Sequence, residues 1–177
     1  MHTSEVVRRA STDPLDLASL AGKYMAFKLS DEVYGLEILK VREIIRMMEI
    51  TRVPRVQEYV RGVINLRGKV IAVADLRSRF GMPRAATTDQ SVIIVVQCAL
   101  GGRELTMGIL VDQVLEVLSI EEDQIEPAPP SLGTNGGEFD FVLGVGKTEE
   151  HVVLLLDIGR ALSARAVGAF EQSARAA

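Results

Sequence analysis

The sequence predicts a mainly β protein built from two small, similar β units. Residues 35–45 are echoed by residues 108–118 at an offset of 73, and residues 62–76 by residues 144–158 at an offset of 82. Short apolar segments also alternate with turn signals from residue 23 to residue 157. Two copies are too few for a stacked solenoid, which usually needs roughly three or more. The pattern therefore predicts two small barrels or sandwiches that share a seam.

The first unit begins with a hairpin of two strands, residues 23–29 and 33–38. Residues 41–45 form a third apolar segment rich in β-branched residues. Pro54 ends that segment, and residues 56–60 are predicted to form a single helical turn. The unit therefore opens with three strands.

A tight hairpin over residues 64–70 completes the first unit. Arg67 and Gly68 stand at its turn, where glycine accepts positive φ without a steric cost. After the buried strand that follows, Asp75 is positioned to cap a short helix over residues 76–80.

The second unit repeats this plan. A long hairpin turns at Gly101-Gly102, a further strand follows, and a closing hairpin ends at Asp157. The predicted strands are residues 92–100, 103–111, 114–118, 141–145 and 152–156. Beyond Asp157, recurring apolar residues among alanines predict an amphipathic C-terminal helix.

These elements predict the domain boundaries. A core at 23–162 would contain a first β subdomain at about 33–84 and a second at about 91–157, with strand 23–29 packing beside them. The flanking parts would be a flexible N-terminal tail, 1–22, and a C-terminal helix and tail, 158–177.

Charge is distributed unevenly along the chain, although the net charge is only −4. Residues 40–84 carry eleven Lys/Arg and four Asp/Glu, a local +7, whereas residues 85–157 carry two and thirteen, a local −11. Such charges can simply maintain solubility. They also suit a protein with one basic and one acidic end, each for a different partner or for head-to-tail assembly. Nucleic acid is a weaker candidate, because the acidic unit would repel phosphates.

Membrane insertion and secretion are not predicted. The longest apolar stretches, such as residues 152–156, are far shorter than the roughly 20 residues of a membrane-spanning helix. No apolar run follows Arg8 and Arg9, so the N-terminus does not read as a secretory signal. Cys98 is the only cysteine, which excludes an internal disulfide and is typical of a reducing cytoplasm.

Catalytic and metal-binding motifs are not found. His2 and His151 are isolated, and Cys98 reads as a packed thiol. Asp75 and Asp157 occupy matching repeat positions, which leaves open a small acid–base hydrolase or isomerase. Helix capping explains each of them locally and is favoured. No cofactor, metal ion or enzymatic activity is therefore predicted.

Several segments resemble the CheW family of chemotaxis coupling proteins, in family order and spacing from about residue 23 to residue 162. The segments are Tyr34-Gly35-Leu36-Glu37-Ile38-Leu39-Lys40-Val41-Arg42-Glu43-Ile44, Gly62-Val63-Ile64-Asn65-Leu66-Arg67-Gly68, Val73-Ala74-Asp75-Leu76-Arg77-Ser78-Arg79-Phe80-Gly81, Ile125-Glu126-Pro127-Ala128-Pro129 and Leu143-Gly144-Val145-Gly146. The resemblance implies two SH3-like five-stranded barrels. It also implies a non-enzymatic cytoplasmic adaptor that joins the regulatory domain of a CheA-type histidine kinase to the signalling tips of methyl-accepting chemoreceptors, in membrane-associated arrays that contain rings of such proteins.

The resemblance also implies two sets of site residues. A receptor-binding groove between subdomains carries over onto Val41, Glu43, Arg67, Val92, Val114, Val117 and Gly144. Kinase contact carries over onto Ile44, Ile45 and Met48. From the residues alone, Val41, Val114 and Val117 are more typical of a core, whereas Arg67 either stays solvated or crosses the seam to a carboxylate such as Glu43. An adaptor for gliding, pili or another chemosensory pathway remains an alternative.

Overall fold

The computed structural model describes residues 14–100, 102–129 and 141–162, in which strands predominate. Within these residues the three α-helices are short: α1 (Pro14–Leu20), α2 (Leu76–Arg79) and α3 (Ile158–Ala161). The strands are β1 (Gly22–Leu29), β2 (Glu32–Glu37), β3 (Val41–Arg46), β4 (Val60–Leu66), β5 (Lys69–Asp75), β6 (Val92–Leu100), β7 (Arg103–Val111), β8 (Gln113–Ile120), β9 (Ile125–Glu126), β10 (Val142–Lys147) and β11 (Val152–Leu156). The mainly β fold class is confirmed.

The strands form two sheets, each of which combines strands from both halves of the chain. The first sheet has the order β3-β6-β7-β5-β4, and the second has the order β8-β1-β2-β11-β10-β9. The hairpin β1–β2 thus lies in the second sheet and the hairpin β6–β7 in the first. The boundaries differ from the predicted 33–84 and 91–157, because the two repeated units exchange their leading hairpins.

The exchange preserves the internal repeat. Gly108 on β7 pairs in parallel with Val73 on β5, and Gly35 on β2 pairs in parallel with Leu155 on β11. The glycines are related by the offset of 73, and their partners by the offset of 82. Both sheets are therefore built on one plan and in one register.

Each sheet curls until its ends meet. In the first sheet, Thr51 bridges Val63 on β4 through two backbone hydrogen bonds of 2.8 Å. In the second, β9 follows β8 closely and pairs with β10 at the opposite end of the order. β3 and β8 stand at the other ends of the two sheet orders. The segment that follows each of them therefore returns to the opposite end of its sheet and closes it.

Side chains alternate between a core inside each sheet and a central core between the sheets. On β6, Ile93 and Val95 face the core of the first sheet, whereas Ile94 and Val96 face the central core. On β1, Tyr24 and Ala26 face the core of the second sheet. The central core includes a row of contacting aromatic rings: Phe27 and Tyr34 from the second sheet, Phe80 just after α2, and Phe141 just before β10.

Polar side chains also join the two sheets. Arg77 of α2 donates to both carboxylate oxygens of Asp112, at 2.9 Å from Nε and 2.7 Å from Nη2. Asp112 accepts a further 2.7 Å hydrogen bond from the backbone N–H of Ser30, in the β1–β2 turn. Arg79 of α2 donates to the carbonyl oxygen of Ala161 at 2.7 Å. The sheets are therefore held by directed contacts as well as by apolar burial.

Two local predictions differ from the structure, and a third is described only in part. Residues 14–20 of the predicted tail form α1, because Leu17 and Leu20 pack against the core of the second sheet. Residues 56–60 form turns and the start of β4 rather than a helical turn. The predicted C-terminal helix is described only as the four residues of α3, and its remainder lies outside the described residues.

Candidate functional site

Arg67 and Glu43 form a bidentate salt bridge that joins the two ends of the first sheet. Arg67 Nη2 lies 2.9 Å from Glu43 Oε1, and Arg67 Nη1 lies 3.0 Å from Glu43 Oε2. Glu43 is on the end strand β3, whereas Arg67 is in the turn after β4, at the other end of the sheet order. The pair therefore lies within one sheet and does not cross the seam between sheets.

The β4–β5 turn positions this guanidinium. Arg67 has φ 52° and Gly68 has φ 85°, the positive values that a two-residue hairpin turn requires. Asn65 Oδ1 accepts a 2.8 Å hydrogen bond from the Gly68 N–H. The Arg67 side chain remains 72% exposed, and its hydrogen bond to Glu43 raises its pKa further. Arg67 is thus a permanent, oriented cation that a partner can reach.

Val41, Val92 and Val114 border the central core. All three are half-buried and pack against it from strands β3, β6 and β8. β3 and β6 are adjacent, with Val41 paired to Val96 and Arg46 paired to Val92. The structure thus brings these valines to the boundary between the sheets. Each leaves part of its surface accessible.

Ile44 and Val117 are exposed apolar residues at repeat-equivalent positions. Ile44 on β3 is 41% exposed and Val117 on β8 is 49% exposed, and the two are related by the offset of 73. A second equivalent pair, Val70 and Val152, lies at the beginnings of β5 and β11 and is also exposed. The prediction that residues 70–74 form a nearly continuous buried strand is confirmed for residues 71–74, and Val70 is the exposed exception.

The three residues assigned to kinase contact have different environments. Met48 is 38% exposed and, with Ile44, presents apolar surface beside the exposed cations Arg42 and Arg46. Ile45 instead packs against the core of the first sheet. Ile44 and Met48 are therefore available to a partner, whereas Ile45 supports the strand.

Gly144 is buried within the second sheet rather than lining an open groove. A Cβ atom at this position would stand 3.0 Å from the carbonyl oxygen of Glu126 and 3.4 Å from Leu20 Cδ1. Gly62, its repeat equivalent, meets the carbonyl oxygen of Thr51 in the same way. The glycine allows the closing segment to approach β10, and it contributes to the surface only indirectly.

Asp75 and Asp157 both act as helix caps. Asp75 Oδ1 accepts a 3.0 Å hydrogen bond from the Arg77 N–H, and Asp157 Oδ1 accepts one of 3.1 Å from the Arg160 N–H. Asp75 is buried and also lies 3.2 Å from Arg61 Nε. The capping interpretation is confirmed for both, and each cap begins the short helix after a strand of a different sheet.

Other candidate chemical groups have structural environments. Cys98 is buried in the central core, and burial raises the pKa of its thiol, so the packed-thiol interpretation is confirmed. Among the residues that the structure describes, no three His, Cys, Asp or Glu side chains cluster as metal ligands would. Within the same residues, no helix has the length and apolar character needed to cross a bilayer.

A cavity of about 620 Å³ lies beside the end of β3, and the sequence pattern alone does not predict it. It is lined by Met47, Met48, Ile50, Arg52, Val53, Val56, Gln57, Glu58, Val60, Arg61 and Arg84. The local excess of arginine was visible in the sequence, but the convergence of these side chains depends on the fold.

The comparisons with known proteins agree with this architecture. The family model of the CheW-like domain matches residues 23–166. The chain is 32% identical over 166 residues to the chemotaxis protein CheW of Klebsiella aerogenes, covering 94% of this chain and 96% of that protein. It is 36% identical over 110 residues to CheW of Bacillus subtilis, covering 62% and 68%. It also resembles the crystal structure of the scaffolding protein CheW of Thermoanaerobacter tengcongensis, with a TM-score of 0.70, 36% identity and coverage of 81% and 93%.

Proposed function

The chain belongs to the CheW-like domain family, and from that premise we propose that it is a non-enzymatic adaptor that couples methyl-accepting chemoreceptors to a CheA-type histidine kinase. It would act in the cytoplasm and be recruited to membrane-associated receptor arrays through its partners. Curated relatives named as chemotaxis proteins and a similar structure named as a scaffolding protein support this proposal. The observation that supports this proposal most strongly is a surface at the end strands of the sheets, where oriented charged side chains lie beside exposed apolar residues.

The receptor would bind at the boundary between the sheets. Val41, Val92 and Val114 supply half-buried apolar surface there, and Val117 lies farther along β8. Glu43 lies on β3, as Val41 does, and its salt bridge with Arg67 holds β3 against the β4–β5 turn. A charged pair beside apolar surface favours specificity and orientation more than raw affinity.

The kinase would bind the outer surface of β3 and of the segment just after it, through Ile44 and Met48. Both apolar side chains are exposed to solvent beside exposed cations. Exposed apolar residues in such surroundings are typical of an interface. Ile45 would act indirectly by anchoring β3 to the core of the first sheet. Because β3 also carries Glu43, one strand would connect the two binding surfaces.

Coupling through this strand has a thermodynamic requirement. A receptor changes kinase activity only if its contacts differ in free energy between the active and inactive arrangements. We propose that the Glu43–Arg67 pair and β3 adopt slightly different positions in those arrangements. A related chemosensory pathway with other receptors would use the same surfaces.

Two single variants test the division of surfaces. Arg67→Glu replaces the paired cation with a like charge beside Glu43, and it should weaken capture of a receptor signalling fragment about tenfold while kinase binding persists. Ile44→Asp should weaken capture of the kinase regulatory domain while receptor binding persists. Val152→Asp is the matched control, because it places the same charge at another exposed apolar position. Normal receptor capture by folded Arg67→Glu protein would contradict the proposal.

A further inference from the structure

The cavity beside β3 has a repeat-equivalent location in the second sheet, and there a helix is bound. In the first sheet, Ile50 and Thr51 close against Gly62; in the second, Ile125 and Glu126 close against Gly144. The cavity is lined by Ile50, and by Val60 and Arg61 just before Gly62. The corresponding elements of the second sheet, β9 and β10, contact α1.

Helix α1 shows what this location accepts. Leu17 and Leu20 are three residues apart, so they share a helix face, and both pack against the core of the second sheet. Leu20 Cδ1 lies 3.4 Å from the position of a Cβ at Gly144, and the Leu20 carbonyl oxygen accepts a 2.5 Å hydrogen bond from Tyr24 Oη. The site on the second sheet thus binds one short helix by two leucines.

The first sheet offers a comparable apolar floor with a different rim. Met47, Ile50 and Val60 supply apolar surface, and the volume of about 620 Å³ is within the range of ligand-binding pockets. Where the second sheet has Leu143 packed near α1, the first has Arg61 at the equivalent position. Three arginines, Arg52, Arg61 and Arg84, line the cavity against one acidic residue, Glu58.

We propose that this cavity is a docking site for a short amphipathic helix of a partner protein, one that presents two leucine-like side chains one turn apart and acidic residues beside them. A helix is expected because the equivalent location in the second sheet holds α1. Acidic residues are expected beside it because arginines line the cavity. Arg52 and Arg84 are exposed, with Arg84 donating a 3.4 Å hydrogen bond to the Glu58 carbonyl oxygen, whereas Arg61 is paired with the buried Asp75. Arg52 and Arg84 therefore select the partner, and Arg61 forms part of the wall. The inference does not rest on the proposed function, since the cavity shares only Met48 with the surface assigned to the kinase.

A peptide copy of α1 is a suitable probe, because residues 11–22 contain Leu17, Leu20 and two aspartates. The full-length protein, labelled with ¹⁵N, is titrated with this peptide to about 1 mM, since so short a helix is marginal in water and binds weakly. Amide shifts are expected at Met47, Met48, Arg52, Val53, Gln57 and Arg61. The double variant Arg52→Glu/Arg84→Glu should weaken binding about tenfold, and the exposed Arg103→Glu should leave it unchanged.

The outcomes are distinguishable. A peptide with Leu17 and Leu20 changed to serine should give no amide shifts at the cavity. Absence of shifts with the original peptide, or shifts confined to the second sheet through competition with α1, would overturn the proposal. Sedimentation equilibrium tests a different occupant: a reversible dimer that Arg52→Glu/Arg84→Glu abolishes would mean that a second copy of this chain fills the cavity, and would contradict the assignment to another protein.

Discussion

Gly62 and Gly144 occupy equivalent positions in the two sheets, each directly beneath the backbone carbonyl that closes its own sheet. A Cβ at Gly62 would stand 2.1 Å from the Thr51 oxygen, and one at Gly144 would stand 3.0 Å from the Glu126 oxygen. Gly62 also has φ +147°, whereas Gly144 has no such positive value. Closure is therefore tighter in the first sheet than in the second.

We predict that Gly62→Ala lowers the free energy of unfolding by about 3 kcal/mol, because the new methyl group overlaps a backbone atom that cannot rotate away. Gly144→Ala should cost about 1 kcal/mol, since small adjustments relieve its contact. Urea unfolding of the two variants measures the difference. Gly68→Ala is the control for positive φ alone, because a Cβ there meets open space. Equal losses for Gly62→Ala and Gly144→Ala would refute this account of closure.

Much of the fold could be predicted because its signals are local. The Arg67-Gly68 turn and the caps at Asp75 and Asp157 depend on a few consecutive residues. The hairpin exchange could not be predicted in the same way. Strands β1–β2 and β6–β7 have the same alternation whichever sheet they join, and the parallel pairs Val73–Gly108 and Leu155–Gly35 connect distant segments.

The candidate site was predictable to a similar extent. The possible pairing of Arg67 with Glu43 was expected from charge, and it is observed. The strand pattern could not show that Ile45 points inward or that Gly144 lies beneath Glu126, because both depend on how each sheet curls. The repeat itself contained a signal for the exposed pairs, since Ile44 and Val117 occupy equivalent positions.

The charge-swapped double variant Glu43→Arg/Arg67→Glu tests how the salt bridge acts. If the pair orients β3, reversing it preserves the link, so we expect the double variant to recover at least half of the receptor-binding free energy lost in Arg67→Glu. Titration calorimetry with the receptor fragment measures all four proteins of the cycle. Failure of the swap to recover any affinity would mean that Arg67 contacts the receptor directly.

Asp112 predicts a pH dependence of stability. Partial burial raises the pKa of its carboxyl, but hydrogen bonds from Arg77 and the Ser30 N–H outweigh that effect, so the pKa in the folded state is below its ordinary value. The stabilisation is fully present above the unfolded-state pKa and is lost as the pH falls through the folded-state pKa. Asp112→Asn should therefore cost about 1–2 kcal/mol at neutral pH, allowing for partial solvent exposure, and less in strong acid.

Urea unfolding at neutral pH and at about pH 2, where carboxyls are largely protonated, measures this dependence. Asp31→Asn is the matched control, because Asp31 is exposed in the neighbouring turn. A cost of Asp112→Asn that stays constant over this range would show that the charge of Asp112 does not stabilise the contact between the sheets.

The proposed coupling is tested most directly by co-sedimentation of the kinase with receptor-containing membranes, with and without this chain. We expect the chain to increase the kinase in the pellet at least tenfold, with Arg67→Glu and Ile44→Asp each abolishing the increase and Val152→Asp preserving it. Kinase recruitment that is equal with and without the wild-type chain would contradict the central claim that this protein links the two partners.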